Sequence, residues 1–198
     1  MNPGSISTDY SICPCGIVSS PISGESRTLQ EELLNPQTLA QAVIRMLRLL
    51  DALETRHRTC DLHLDICPKN ILLTSGEQGE KIILTGCAGR KCPHCRSGYG
   101  APEVIGGQEP DFSSDLYSVA AVFFHCLMGR KLSLREALQP KAPDGRDSPL
   151  LRDAPAEVRR MVGKILRRGL NVLPEQRYRS IGPMRRAFQQ LLDSIPSQ

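Results

Sequence analysis

Tryptophan is absent from this 198-residue chain, and Phe and Tyr number four each, so aromatics make up only 4% of it. The core must be built from aliphatic side chains, and a hydrophobic content of 40% supplies them. Long apolar runs are also lacking. The longest, Val119–Met128, is broken by His125 and falls short of the ~20 residues that a membrane-spanning helix needs. The N-terminus has neither the basic stretch nor the apolar centre of a secretory signal. No membrane partner is expected, and the expected location is cytoplasmic. Charge of one sign is not in large excess either. A net charge of +4 favours solubility and gives no reason to expect nucleic acid.

Cysteine is not scarce. There are eight, unevenly spread. Thiols in a reducing compartment stay free, so a disulfide framework is not expected. Acidic residues are missing in one place: no Asp or Glu occurs from Lys81 to Pro102.

Residues 1–28 are rich in Gly, Ser and Pro without periodicity and read as a loop-rich, flexible segment. Residues 29–34 have the composition of a helical turn or two. Asn35 and Pro36 then stand as N-cap and first position of a helix over 38–56. Leu39, Val43, Met46, Leu47, Leu50 and Leu53 recur on one face of it. Two short β-prone runs follow, Ile71–Leu73 and Lys81–Leu84, with Ser75–Gly79 as the turn between them. Ser113-Ser114-Asp115 opens a helix over Leu116–Met128 that is apolar on nearly every side, which implies burial all round, and Gly129 ends it. A short helix is expected near Leu134–Leu138. A further amphipathic helix carries Val158, Met161, Val162, Ile165 and Leu166 and is closed by Gly169. Ser180 caps a last helix bearing Met184, Ala187, Phe188 and Leu191. Residues 194–198 form a tail.

Between the first long helix and the hairpin lies His63–Leu73, His-Leu-Asp-Ile-Cys-Pro-Lys-Asn-Ile-Leu-Leu. Tyr99-Gly-Ala-Pro-Glu103 and Leu173-Pro-Glu-Gln-Arg177-Tyr-Arg-Ser180 follow later in the chain. In this order and spacing, the motifs resemble the C-terminal lobe of a eukaryotic-type Ser/Thr protein kinase, over about Leu29 to Leu192. The catalytic loop of that family reads His-Arg-Asp-x-Lys-Pro-x-Asn. His63, Asp65, Pro68 and Asn70 occupy matching positions, and Pro68 favours the Ser/Thr pattern over the tyrosine one. Leu64 replaces the Arg and Cys67 replaces the Lys, while Lys69 falls on a variable position.

The resemblance implies a mainly α fold. It would be a kinase-like C-lobe helical bundle over 29–193 with a short β-hairpin. It also implies a small lobe ahead of the first long helix, with a five-stranded sheet. Residues 1–35 are too few for it, and they contain no Gly-rich phosphate loop and no strand Lys with its helix Glu, so the N-lobe is expected to be absent or vestigial.

The resemblance also implies roles. Asp65 stands where the kinase base stands, and Asn70 where a second magnesium ligand stands. Both are more simply read as residues that hold the loop by hydrogen bonds. Gly86 occupies the position of the principal magnesium ligand. His63 is structural, Asp115 accepts hydrogen bonds from the catalytic-loop backbone, and Glu103 and Arg177 form an ion pair that is at least partly buried. Leu64 cannot pair with a phosphorylated activation loop as the family Arg does.

Phosphoryl transfer requires charge neutralisation at the γ-phosphate. With Cys67 and Gly86 in place of two electrostatic groups, the expected function is non-catalytic: a pseudokinase-type interaction or scaffold module. Without a small lobe, the cleft-facing side around Leu73 and Ile83 is expected to be exposed, and so to engage a protein partner or a second copy. The alternative is an enzyme, a Ser/Thr kinase active only with an N-lobe supplied elsewhere. A truncated kinase remnant is a further alternative. ATP and magnesium are implied only under the enzyme reading, and no other cofactor is assigned.

Two features lie outside the resemblance. Cys92 and Cys95, two residues apart, have the spacing of a zinc grip, with Cys87, His94 or Cys13 and Cys15 to complete it; reduced surface thiols are the plainer reading. From Arg152 to Arg186, ten Lys/Arg face three Asp/Glu. That is either a surface for an acidic partner or nucleic acid, although no aromatic residues interleave for base stacking, Tyr178 apart, or a solvated helix face, the last being the default.

Overall fold

A computed structural model describes residues 26–76, 79–86, 98–139 and 145–196. Three strands and seven α-helices make up this part, with three 3₁₀ turns. Strand β1 (Ser26–Thr28) pairs antiparallel with β2 (Ile71–Gly76), which pairs antiparallel with β3 (Gly79–Leu84). Ser26–Thr28, within the segment expected to be loop, thus form a sheet edge. Thr28 then caps α1 (Leu29–Glu32) by accepting from the Glu31 backbone N–H, while the Glu31 side chain accepts from the Thr28 backbone.

The first long helix, α2 (Leu39–His57), begins later than Asn35-Pro36 suggest. Its N-cap is Thr38, whose Oγ1 accepts from Gln41 N while Gln41 Oε1 accepts from Thr38 N. This reciprocal pair satisfies two orphan donors at once, whereas Asn35 is spent in closing the turn after α1 through its N–H to the Glu32 carbonyl. The face of α2 carrying Val43, Met46, Leu50 and Leu53 is buried, as the periodicity predicts. Arg45 is buried on the same helix. It is held by Glu32 at 2.6 Å and Glu80 at 3.3 Å, so it ties α1 and β3 to α2.

Helix α4 (Phe112–Met128) is the axis of the molecule, and every residue from Ser113 to Leu127 is buried. Its N-cap is Asp111, three residues ahead of the Ser114-Asp115 signal. Asp111 accepts from Ser113 N, and Ser114 Oγ accepts from Asp111 N. Asp115 is thereby freed for another role inside the first turn. Gly129 ends the helix in the left-handed region, at φ 65°. Helices α2 and α6 (Ala156–Gly169) flank α4, and α7 (Ile181–Asp193) packs against α2 and α6. Phe188 of α7 meets Phe123 of α4 edge-on at 5.0 Å.

Gly169 was expected to close α6 from outside. It is instead the last helical residue, and Leu170 caps the helix. A Cβ at Gly169 would lie 2.5 Å from the Ala120 Cβ, so glycine stands there to let α6 approach α4. Ser180 occupies the N-cap position of α7, but its side chain makes no capping hydrogen bond. The short helices α3 (Pro102–Ile105) and α5 (Leu134–Ala137) complete the set. No helix among the described residues is long and apolar enough to cross a membrane.

Leu73 was expected on the open side of the hairpin, together with Ile83. Leu73 is buried, because β1 pairs along β2, with Arg27 opposite Leu73, and α2 packs against the hairpin. Ile83 remains 38% exposed.

Candidate active site

The loop from His63 to Asn70 is fixed at three points. The first is Asp115, whose carboxylate is fully buried and accepts from two successive backbone N–H groups, His63 at 2.9 Å and Leu64 at 2.7 Å. His57 Nε2, at the end of α2, lies 2.9 Å from the same carboxylate, and its ring packs on Phe112 at 4.6 Å. Two donors aimed at one carboxylate hold Leu64 at φ 60°, a left-handed conformation that a leucine seldom adopts unless its surroundings impose it.

The second point is His63, which is fully buried. Its Nε2 lies 3.1 Å from the Thr85 carbonyl, and its Nδ1 accepts from the Asp65 N–H at 3.3 Å. An acceptor facing Nε2 and a donor facing Nδ1 fix one neutral tautomer, with the proton on Nε2. Burial agrees with this, pushing the pKa of His63 down against the opposing pull of Asp115.

The third point is Asn70. Its side-chain amide donates to both the Asp65 carbonyl and Asp65 Oδ2, each at 2.8 Å. The Asn70 carbonyl receives the Thr85 N–H at 2.8 Å, which fastens the loop to the end of β3. Asp65 itself is buried. Cys67 is buried to 2% exposure, just before the 3₁₀ turn Pro68–Asn70, while Lys69 points to solvent. Gly86 follows Thr85 at φ 105°, and a Cβ there would lie 2.8 Å from Asn70 Nδ2. Backbone and space together favour glycine at this position.

A second constellation lies behind the loop. Arg177 Nη1 and Nη2 donate to Glu103 Oε1 and Oε2 at 2.8 and 2.7 Å, and both side chains are buried. The rest of the guanidinium donates to the carbonyls of Asn171 at 2.6 Å and Val172 at 2.9 Å. Ser114 Oγ donates to Glu103 at 2.6 Å, and the guanidinium lies 4.9 Å from the centre of the Tyr117 ring. Burial pushes the Glu103 carboxyl up, but the hydrogen bonds from Arg177 and Ser114 outweigh it and hold the group below its ordinary value.

The structure thus brings His63, Asp65, Asn70 and Asp115 together and joins Glu103 to Arg177. Cys92 and Cys95 lie outside the described residues, as do Cys13, Cys15 and Cys87. Sequence reasoning missed His57 as a partner of Asp115, as well as Ser114 and the two carbonyls around Arg177. No local signal marks these, since His57 and Asp115 stand 58 residues apart.

A model of the protein kinase domain matches residues 17–180. The serine/threonine-protein kinase PknJ of Mycobacterium tuberculosis is 32% identical over 104 residues, covering 46% of this chain and 18% of that protein. PknH of the same organism is 26% identical over 175 residues, covering 82% of this chain and 28% of that protein. The chain therefore spans less than a third of either relative. The crystal structure of the Mycobacterium tuberculosis PknI kinase domain superposes with a TM-score of 0.68 at 24% identity, over 85% of this chain and 63% of that one. That likeness concerns the fold, and it agrees with the family match on the same helical arrangement. By its catalytic-loop geometry, its order of motifs and this match, the chain belongs to the protein kinase domain family.

Proposed function

We propose that this chain is a kinase-fold module that does not itself transfer phosphate and acts by contact with another protein. The observation that carries the reading is Cys67. It stands where the family places the lysine that stabilises the transferring phosphoryl, and it is a buried thiol that carries no ammonium group. One missing electrostatic group typically costs about 3–4 kcal/mol of transition-state stabilisation.

The residues present do not fit magnesium with ATP. A divalent magnesium asks for several oxygen ligands in near-octahedral order. Asp65 offers one carboxylate, with one oxygen already accepting from the Asn70 amide, and Asn70 can add only its amide oxygen. Gly86 supplies no side chain, and the sequence has no carboxylate from Lys81 to Pro102. Exposed Ile83 on β3 supports a protein contact at the hairpin.

The enzyme reading keeps one specific support: Asp65 and Asn70 remain in mutual contact at 2.8 Å, as a base and its neighbour would be. Under that reading the chain is a Ser/Thr kinase completed by a small lobe from elsewhere, in keeping with the names of PknJ and PknH. The test is transfer of labelled phosphate from ATP and magnesium to a generic protein acceptor by the full chain. No transfer above background, and no magnesium-dependent thermal shift with ATP, is expected. Transfer that disappears in Asp65→Asn would overturn the proposal.

A further inference from the structure

A depression of about 520 Å³ opens between the start of α6 and the segment before it, and five arginines line it: Arg146, Arg152, Arg159, Arg160 and Arg167. Its size falls within the roughly 300–1,000 Å³ usual for small-molecule sites. The construction follows from the helix. Ala156, Arg159, Arg160, Gly163 and Arg167 recur at helical spacing on one stripe of α6, and the small side chains at Ala156 and Gly163 leave the floor open between the long ones. Arg146 and Arg152 close the depression from the preceding segment, and Leu151 between them is buried and anchors it.

Among the described residues, one acidic side chain forms an ion pair within this group, and Arg146 and Arg167 have further partners of their own. Glu157 accepts from Arg160 at 3.0 and 2.7 Å. Arg152 and Arg159 form no ion pair with any of the described residues. Guanidinium groups stay charged at any physiological pH, and each presents a planar fork that matches two phosphate oxygens. Gathering guanidinium groups in one concavity raises the local potential for anions, and the charges of Arg152 and Arg159 are the ones that a multivalent anion would answer. Among the described residues the remaining lining is Leu, Ala and Gly, with no aromatic face on which a base would stack.

We infer that this depression binds a small polyanion carrying two or more phosphate groups. The inference is independent of the phosphotransfer reading, because the site shares no residue with the catalytic loop.

The test is calorimetric titration of the full chain with inorganic tripolyphosphate. Inorganic monophosphate is titrated in parallel, and co-sedimentation is measured with phosphatidylcholine vesicles containing phosphatidylinositol bisphosphate. The variants are Arg152→Gln with Arg159→Gln, which keep side-chain bulk, and exposed Arg179→Gln as a control. Denaturation midpoints confirm that all are folded. Tripolyphosphate is expected to bind more tightly than monophosphate, and the double variant to bind it about tenfold or more weakly, from loss of charge-assisted hydrogen bonds. Arg179→Gln should bind as the unsubstituted chain does. Binding to tripolyphosphate alone assigns a free polyphosphate. Binding to vesicles as well, lost in the same double variant, adds the lipid headgroup as a source. Equal affinity in the double variant, equal affinity for monophosphate, or vesicle binding without tripolyphosphate binding would overturn the inference.

Discussion

Arg177 meets Glu103 through two parallel hydrogen bonds of 2.8 and 2.7 Å, across 74 residues of sequence, with both side chains out of solvent. The same guanidinium holds the carbonyls of Asn171 and Val172, so one side chain joins α3 to the turn before α7. Its place is structural, behind the catalytic loop, and its value does not depend on phosphate transfer.

Replacing Arg177 by Ala leaves the buried Glu103 carboxylate with Ser114 but without its guanidinium, and the Asn171 and Val172 carbonyls without their donor. Breaking one side of a buried pair typically costs about 3–5 kcal/mol. Arg177→Lys should cost less, because one ammonium replaces one arm of the fork and not both. Exposed Arg179→Ala should stay within about 0.5 kcal/mol. Urea denaturation measures all three, and equal midpoints for Arg177→Ala and Arg179→Ala would refute the assignment.

The same pair predicts a dependence on acid. Glu103 in the folded chain titrates below its ordinary 4.5, through Arg177 and Ser114 acting against burial. A carboxyl whose folded-state pKa is depressed contributes stability that is fully present above about 4.5 and is lost as pH falls through the lower folded value. The stability difference between the unsubstituted chain and Glu103→Gln should therefore be constant at neutral pH and shrink below about 4.5. Denaturation midpoints at a series of pH values test this; a difference that grows on acidification has the wrong sign.

Asp115→Asn should loosen the catalytic loop selectively. The amide can accept with one oxygen only, and its NH₂ faces a backbone donor, so a buried N–H of His63 or Leu64 loses its acceptor at about 1–3 kcal/mol. Hydrogen exchange should accelerate at His63 and Leu64 before it does so in α4. Uniform acceleration along the chain would mean only general destabilisation.

Gly169→Ala should strain the contact between α6 and α4, where the new methyl lies 2.5 Å from the Ala120 Cβ. Over-packing of this kind costs about 1–3 kcal/mol. Ala120→Gly in the same chain should recover part of that loss, although glycine inside a helix costs about 1 kcal/mol by itself. A double-mutant cycle reads the coupling, and strict additivity would show that the two positions do not meet in solution.

Much of this arrangement was legible along the chain. The apolar stripe of α2, the all-round burial of α4, the stop at Gly129 and the hairpin all follow from local periodicity and turn chemistry, which act over a few residues. Motif order singled out His63, Asp65, Asn70, Asp115, Glu103 and Arg177; the first four meet around the loop, and the last two pair behind it. Where capping went astray, at Asn35 and Ser113, two signals competed within a few residues, and the reciprocal hydrogen bonds of Thr38 with Gln41 and of Asp111 with Ser114 prevailed.

The tertiary structure decided what depends on which surfaces meet. It buried Leu73, because β1 pairs along its strand, and Arg45, because Glu32 and Glu80 converge on it from other elements. It gave Gly169 a packing role, because α4 passes closer there than a methyl permits. It brought His57 onto Asp115 and gathered five arginines around one depression. Spacing along a helix fixes which residues share its face, but only the approach of a second element determines whether that face meets apolar side chains, an opposite charge or water.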